Sequence, residues 1–168
     1  MPDAYALSYF GELGIYPGFR VSCFYELGAS TKQKRKGKSI EKRNYLVPSI
    51  ANYGIIGGQK NWLFGADFER MRFHKKGRRY RLYQVGAFLN MHTNPGNTYS
   101  SQNGVFEQGL SARWYFVPKV AFGAGRSAIS LGNTAFDIAL MPTFYIKMPY
   151  NNMAGLPSFA LELRLKMI

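Results

Sequence analysis

The chain has 168 residues, of which 46% are hydrophobic and 16% aromatic, and its formal net charge is +13. The aromatic content excludes a compositionally disordered chain, and the single cysteine excludes an internal disulfide or a cysteine-based metal site. No run of 18 apolar residues is present, which excludes a transmembrane helix, and the strong positive charge favours an acidic partner.

Apolar and polar residues alternate with a period of two along most of the chain, and this pattern predicts strands. Eight segments carry it, each bounded by turn-forming or polar residues. In chain order, the predicted strands are 5–15, 18–27, 45–56 (broken by Pro48), 62–73, 80–91, 105–116, 135–148 and 157–168.

The segments between these strands are predicted to be connections. We expect a basic linker over 28–44, a turn over 74–79 and a polar loop over 92–104. The stretch 117–134 is ambiguous, because a full strand over 119–130 would raise the number of strands to nine or ten. If the predicted strands close into a barrel, an even number of them is expected, as in single-chain bacterial barrels. We therefore interpret 117–134 as an extended connection or a strand fragment.

The acidic residues lie within the predicted strands rather than in the loops. Seven of the nine acids have this position, all on the face opposite the large apolar side chains, and three arginines share that face. A barrel of eight strands is just wide enough for side chains to fill its lumen, where charges are tolerated when they are paired. We therefore predict a lumen charge network of Arg20, Glu26, Asp67, Glu69, Glu107, Arg113, Asp137, Glu162 and Arg164.

The opposite face of each strand fits contact with lipid. Strands of about 9–12 residues match the length that a tilted transmembrane strand needs. Aromatic residues near the strand ends predict interfacial girdles, formed by Tyr16, Tyr25, Tyr45, Trp62, Tyr80, Trp114, Tyr115 and Tyr150. The predicted fold is one all-β domain over residues 1–168, an eight-stranded antiparallel up-and-down transmembrane β-barrel with a side-chain-filled polar lumen.

The segments "ARWYFVPKVAFGAG" and "YIKMPYNN…LPSFALELRLKM" give this pattern a family likeness. The chain resembles the small eight-stranded outer-membrane barrels of Gram-negative bacteria, of the OmpA/OmpX general type and similar to Bacteroidota proteins. The resemblance implies a bacterial outer-membrane location, for which a signal peptide would have been removed, since none is visible here. It also implies a structural or interaction role, such as that of an accessory subunit of a larger outer-membrane complex, and no cofactor.

Two basic clusters are candidate binding sites for anionic lipid or an acidic partner. Their members are Lys34, Arg35, Lys36 and Lys38 in the first cluster, and Lys75, Lys76, Arg78 and Arg79 in the second. Strand parity predicts that both lie at the same end of the barrel, whose orientation stays open. The expected partners are outer-membrane lipids, including the phosphates of lipopolysaccharide, and other outer-membrane proteins. The alternative interpretation is a pair of solvated turns.

Two other functions compete with this one. Some barrels of this fold modify lipid A with a histidine, a serine and an acid, but the residues after His92 are Thr93 and Asn94, so the serine is missing from its expected place. We therefore assign no catalytic residue and, in the absence of a suitably spaced cluster, no metal site. A soluble basic barrel that binds nucleic acid is the third hypothesis, but it leaves the acids within the strands unexplained.

Overall fold

A computed structural model describes residues 1–12, 16–34, 38–54, 60–73, 78–102, 105–131, 134–149 and 154–167. It contains eight strands: β1 (Ala4–Glu12), β2 (Tyr16–Lys34), β3 (Lys38–Gly54), β4 (Lys60–Phe73), β5 (Arg79–Gln102), β6 (Val105–Leu131), β7 (Thr134–Lys147) and β8 (Leu156–Met167). No helix in these ranges is long and apolar enough to cross a membrane.

The eight strands form one antiparallel sheet in chain order. Each strand pairs with its neighbours in the sequence, and β1 also pairs with β8, where Leu7 lies opposite Leu165. The sheet is therefore a ring with an inner and an outer face. The prediction of an all-β fold with eight antiparallel up-and-down strands is confirmed.

Two hairpins are longer than predicted. The basic linker over 28–44 is wrong, because β2 and β3 continue through it until Lys34 pairs with Lys38. The polar loop over 92–104 is also wrong, because β5 and β6 continue until Gln102 pairs with Val105. Backbone hydrogen bonds hold such a ladder whatever the side chains are, so a strand that extends beyond a core loses its apolar alternation without losing its pairing.

The interpretation of 117–134 as a connection is wrong for a related reason. Strand β6 is continuous through this stretch to Leu131, so the number of strands remains eight. The pattern is obscured by glycines that face large side chains of neighbouring strands. A Cβ atom on Gly125 would lie 2.4 Å from Cζ of Tyr80, so only glycine leaves space for that ring.

The predicted break at Pro48 does not occur. Strand β3 passes through this residue, which lies opposite Ala66 of β4. On the other side, the pairing with β2 skips from Ser49 to Leu46. Proline lacks a backbone donor, so it removes a ladder hydrogen bond towards one neighbour and leaves the strand intact.

The two faces of the ring differ as the alternation predicts. Large apolar side chains on the outer face have exposed fractions between 37% and 61%, and they occur on every strand. We call this set the outer belt. It includes Leu7, Val21, Ile50, Phe64, Val85, Phe116, Phe144 and Leu163.

The inside of the ring is layered rather than wholly polar. One buried apolar cluster contains Phe24, Tyr45 and Tyr80, and it lies towards the end with both chain termini. A second cluster, towards the other end, contains Phe88 and Tyr115. The expectation of a polar lumen is therefore only partly correct, because most of the buried charged side chains occupy a middle layer between two apolar ones.

Three of the predicted girdle residues are part of these inner clusters. Tyr45, Tyr80 and Tyr115 are at most 7% exposed, whereas Tyr25, Trp62 and Trp114 lie on the outer face. Each misplaced tyrosine directly precedes an outward residue of its strand, so its own side chain must point inward. The Tyr16 side chain and Tyr150 lie outside the described residues.

Candidate functional site

The middle layer of the interior begins with an ion pair between two strands that lie on either side of β1. Arg20 of β2 donates from Nη1 to Oε2 of Glu162 on β8 at 2.9 Å. Its other terminal nitrogen, Nη2, lies 3.5 Å from Oδ2 of Asp67 on β4. A single guanidinium thus joins carboxylates from two other strands across the ring.

The same network continues to the far side of the interior. Lys119 of β6 donates from Nζ to Asp67 Oδ2 at 2.8 Å and to Gln84 Oε1 at 3.2 Å. Gln84 donates in turn to Glu69, which also accepts two hydrogen bonds from the guanidinium of Arg164 on β8. We call this set the interior network: Glu162, Arg20, Asp67, Lys119, Gln84, Glu69 and Arg164.

The interior network is electrically balanced. Its three cations, Arg20, Lys119 and Arg164, match three carboxylates, and every member is at most 5% exposed. Such balance is required because an uncompensated charge in a dry interior costs several kcal/mol. The layers on either side contribute aromatic faces. Arg20 and Lys119 lie 5.1 and 5.2 Å from the centre of the Phe88 ring, and Arg164 lies 5.0 Å from the centre of the Phe24 ring.

A glycine of β5 makes space for one of the carboxylates. Gly86 pairs with both Asp67 and Lys119 across the sheet. A Cβ atom at this position would lie 2.1 Å from Oδ1 of Asp67. The absence of a side chain at Gly86 therefore allows the carboxylate to lie flat against β5 and reach Lys119.

The predicted lumen set is divided by the structure. Arg20, Asp67, Glu69, Asp137, Glu162 and Arg164 are all buried inside the ring. Among these, Asp137 lies apart from the interior network and accepts a hydrogen bond from the Ala128 amide at 3.2 Å. Arg113 is exposed, and the Glu107 side chain lies outside the described part of β6.

Glu26 is a correction to the predicted lumen set. Its side chain is 31% exposed at the terminal rim, where its nearest described cation is Arg43 at 4.0 Å. The ladder shifts register between Glu26 and Gly28, which lie beyond the last pair of β1 with β2, Ala4 and Phe24. Because β1 begins at Ala4, it does not extend alongside Glu26, and the side chain is left at the edge of the ring. Parity alone could not predict that.

Sequence reasoning missed Lys119 and Gln84, the two residues that connect the halves of the network. Lys119 lies in the stretch interpreted as a connection. Val117, Lys119 and Ala121 nevertheless occupy every second position, as residues on one face of a strand do. That alternation was the available signal. Gln84 carried no signal, because a neutral amide on the inward face of a strand is common.

The two basic clusters lie at the hairpins β2–β3 and β4–β5, both at the end of the ring that holds the two termini. Arg78 and Arg79 are exposed at the start of β5. Arg35, Lys36, Lys75 and Lys76 lie outside the described residues, as do the side chains of Lys34 and Lys38. The predicted common end therefore agrees with the topology, and side-chain geometry is defined for only part of the set.

His92 lies at the other end of the ring, where it contacts an amide side chain and an aromatic ring. Its Nδ1 atom lies 2.9 Å from Oδ1 of Asn61, and its ring meets Tyr115 edge-on with the two ring centres 6.2 Å apart. The side chains of Ser100 and Ser101 are outside the described set. Within the ranges given above, no three histidine, cysteine, aspartate or glutamate residues are grouped to bind a metal ion.

Comparison with models of known protein families finds no match, and comparison with curated proteins finds none either.

Proposed function

We propose that this protein is an integral outer-membrane β-barrel with a structural or interaction role, such as that of an accessory subunit in a larger outer-membrane complex. The observation that carries the proposal is the outer belt, which surrounds the whole ring, while the interior network pairs three cations with three carboxylates inside it. Soluble monomers rarely expose a contiguous apolar patch of more than a few hundred Å². An apolar belt that continues around the whole ring is therefore not expected on a soluble monomer, whereas membrane hydrocarbon can contact it on all sides.

The height of the belt supports the same conclusion. On β8 it extends from Phe159 to Met167, with Leu161, Leu163 and Leu165 between them. At a rise of about 3.3 Å per residue and a tilt of about 40°, such a run spans roughly 20 Å along the barrel axis. This is close to the apolar band of about 25 Å that outer-membrane barrels present to lipid.

The filled interior favours a structural or interaction role over that of a general pore. The largest fully buried side chains include Arg164, Tyr53, Tyr80 and Phe24, which occupy the space that water would need. The surfaces left for partners are the outer face, the rims and the hairpins. Outer-membrane lipids, including lipopolysaccharide, and other membrane proteins are the partners that such surfaces suit.

A charge placed at two depths of the outer belt tests the proposal. In a membrane barrel, Leu163→Arg at the middle of β8 is expected to cost about 2–4 kcal/mol, and Leu27→Arg near the rim about 0–1 kcal/mol. Both leucines are exposed, at 47% and 59%. The measurement is the urea midpoint of protein folded in phospholipid vesicles. Two equally harmless variants, as expected of a soluble surface, would contradict the proposal.

The two tryptophans provide an independent readout. Trp62 and Trp114 are the only tryptophans of the chain, and both lie on the outer face. Brominated phospholipids should therefore quench the fluorescence of the folded protein, and heating should shift its mobility on a gel. A protein that stays soluble without detergent, and whose fluorescence brominated lipid leaves unchanged, would favour the nucleic-acid hypothesis instead.

A further inference from the structure

On β4, β5 and β6, the outer face changes from apolar to basic at the end of the ring that holds the two chain termini. On β4, the outward positions after Phe68 are Arg70 and Arg72, and on β5 Tyr83 is preceded by Arg81 and Arg79. Strand β6 adds one exposed arginine. We call this set the arginine patch: Arg70, Arg72, Arg79, Arg81 and Arg126.

The register places these arginines against one another. Arg72 lies directly opposite Arg81, and Arg79 lies directly opposite Arg126. Like charges at directly opposed positions of a sheet destabilise it. Two such pairs side by side are a costly arrangement unless an anion lies between the guanidinium groups.

The protein itself supplies little compensation. Among the described residues, the acids of β4 are Asp67 and Glu69, which are buried on the other face of the sheet, and β5 has no acid at all. Within the patch, Arg70 has a neutral partner, because its Nε donates to Oδ1 of Asn44 at 2.8 Å. Within the described part of the chain, the terminal nitrogens of the patch have no carboxylate partner and are available to an external anion.

A shallow, open groove joins the patch to the outer belt. It has a volume of about 340 Å³ and is lined by Phe68, Arg70, Arg72, Tyr83 and Val85. Its apolar part continues into the belt, and its charged part lies where the belt ends. This arrangement matches a phospholipid, with the phosphate held by the arginines and one acyl chain along Phe68 and Val85.

The rest of the same rim argues against a uniform contact with headgroups. At the corresponding level, β1 presents Tyr5 and β8 presents Met167, which are 48% and 45% exposed. A bilayer surrounds the barrel evenly, so a general attraction to its surface would favour cations on all strands. The cations of this rim lie on the side of the ring from β2 to β6, where Lys42 of β3 is opposite Arg72, and this uneven distribution indicates a localised site.

We infer that the arginine patch and its groove bind one anionic glycerophospholipid from the surrounding membrane, with the phosphodiester between Arg72 and Arg81. This inference depends on the proposed membrane location. Arginine suits the role because its planar fork donates two parallel hydrogen bonds to phosphate.

The test is lipid retention measured by native mass spectrometry. Protein is extracted from vesicles of phosphatidylcholine and phosphatidylglycerol in equal amounts, with inorganic phosphate added in one arm and lipid A in another. The wild type should retain one phosphatidylglycerol in preference to phosphatidylcholine. Arg72→Gln with Arg81→Gln should reduce this retention at least tenfold, and Arg72→Lys should reduce it by less.

The matched control is Lys32→Gln with Lys60→Gln. It removes the same charge from two exposed positions outside the groove and should leave retention unchanged. Equal losses in both double variants, displacement by inorganic phosphate, or preferential retention of lipid A would overturn the assignment. Tryptophan quenching by brominated lipid separates the two proposals: quenching without selective retention overturns only this inference, whereas absence of quenching overturns the membrane location as well.

Discussion

The arginines inside the ring and those of the outer patch have opposite surroundings. Arg20 and Arg164 each face carboxylates at hydrogen-bonding distance, and the interior network as a whole is neutral. Arg72 and Arg81 face each other instead. The interior network is therefore balanced within one chain, whereas the outer patch opposes like charges, which the proposed phospholipid would compensate.

The largest effect is expected when an arginine of the interior network loses its counter-ion and becomes uncompensated, as the arginines of the patch are. Glu69→Gln removes the charge that Arg164 requires and should destabilise the protein by about 3–5 kcal/mol, because a buried guanidinium then lacks a counter-ion. The measurement is urea unfolding in detergent micelles. Adding Arg164→Met should recover much of the loss, since no unpaired charge remains.

Glu26→Gln is the matched control for that change. It removes the same carboxylate charge at the rim, where the side chain is 31% exposed and 4.0 Å from Arg43. An exposed ion pair of this kind contributes about 0–1 kcal/mol. Equal destabilisation by the two glutamine variants would show that the interior network has no special need for balance.

A smaller effect on stability is expected when the network keeps its charges but an added side-chain atom crowds one of its carboxylates. Gly86→Ala places a methyl group against Asp67 and should destabilise the protein by about 1–3 kcal/mol, as overpacking of a filled interior does. The neighbouring change Ala87→Val adds more volume on the exposed face and should be nearly neutral. Urea unfolding of both variants is the measurement, and an equal response would contradict the role of Gly86.

The smallest expected effect changes sign with the lipid. In micelles without anionic lipid, Arg72→Gln with Arg81→Gln should raise stability by up to about 1 kcal/mol, because it removes an opposed pair of like charges. With phosphatidylglycerol present, the wild type should gain stability by mass action, and the variant should not. Thermal unfolding monitored by gel mobility measures both, and a variant that is less stable in both media would contradict this account of the patch.

The fold was largely predictable because a strand alternates strictly between two faces. The apolar series from Phe159 to Met167 allowed only one assignment of β8, and Asp67 and Glu69 followed from Trp62, Phe64 and Phe68 in the same way. Alternation has no meaning where both faces meet solvent, as they do from Tyr25 to Gln33 of β2, so the continuation of this strand to Lys34 could not be recognised.

The sites were less predictable because they depend on register between distant strands. That Lys119 meets Asp67, or that Arg72 lies opposite Arg81, follows from which residues pair across β4, β5 and β6. A single sequence contains the parity of each strand but not the offset between strands. The three inward tyrosines have a different explanation. Their position near strand ends predicts a girdle, whereas their parity within the strands places them inside.

The pairing of β1 with β8 has a consequence for biogenesis. Glu162 and Arg164, the counter-ions of Arg20 and Glu69, both lie on the strand of the ring that is synthesised last. Until it arrives, the earlier hairpins carry charges that cannot be dehydrated at low cost. For the proposed membrane location, insertion of single hairpins in sequence is therefore disfavoured, and the nascent chain must be kept hydrated until β8 can join β1.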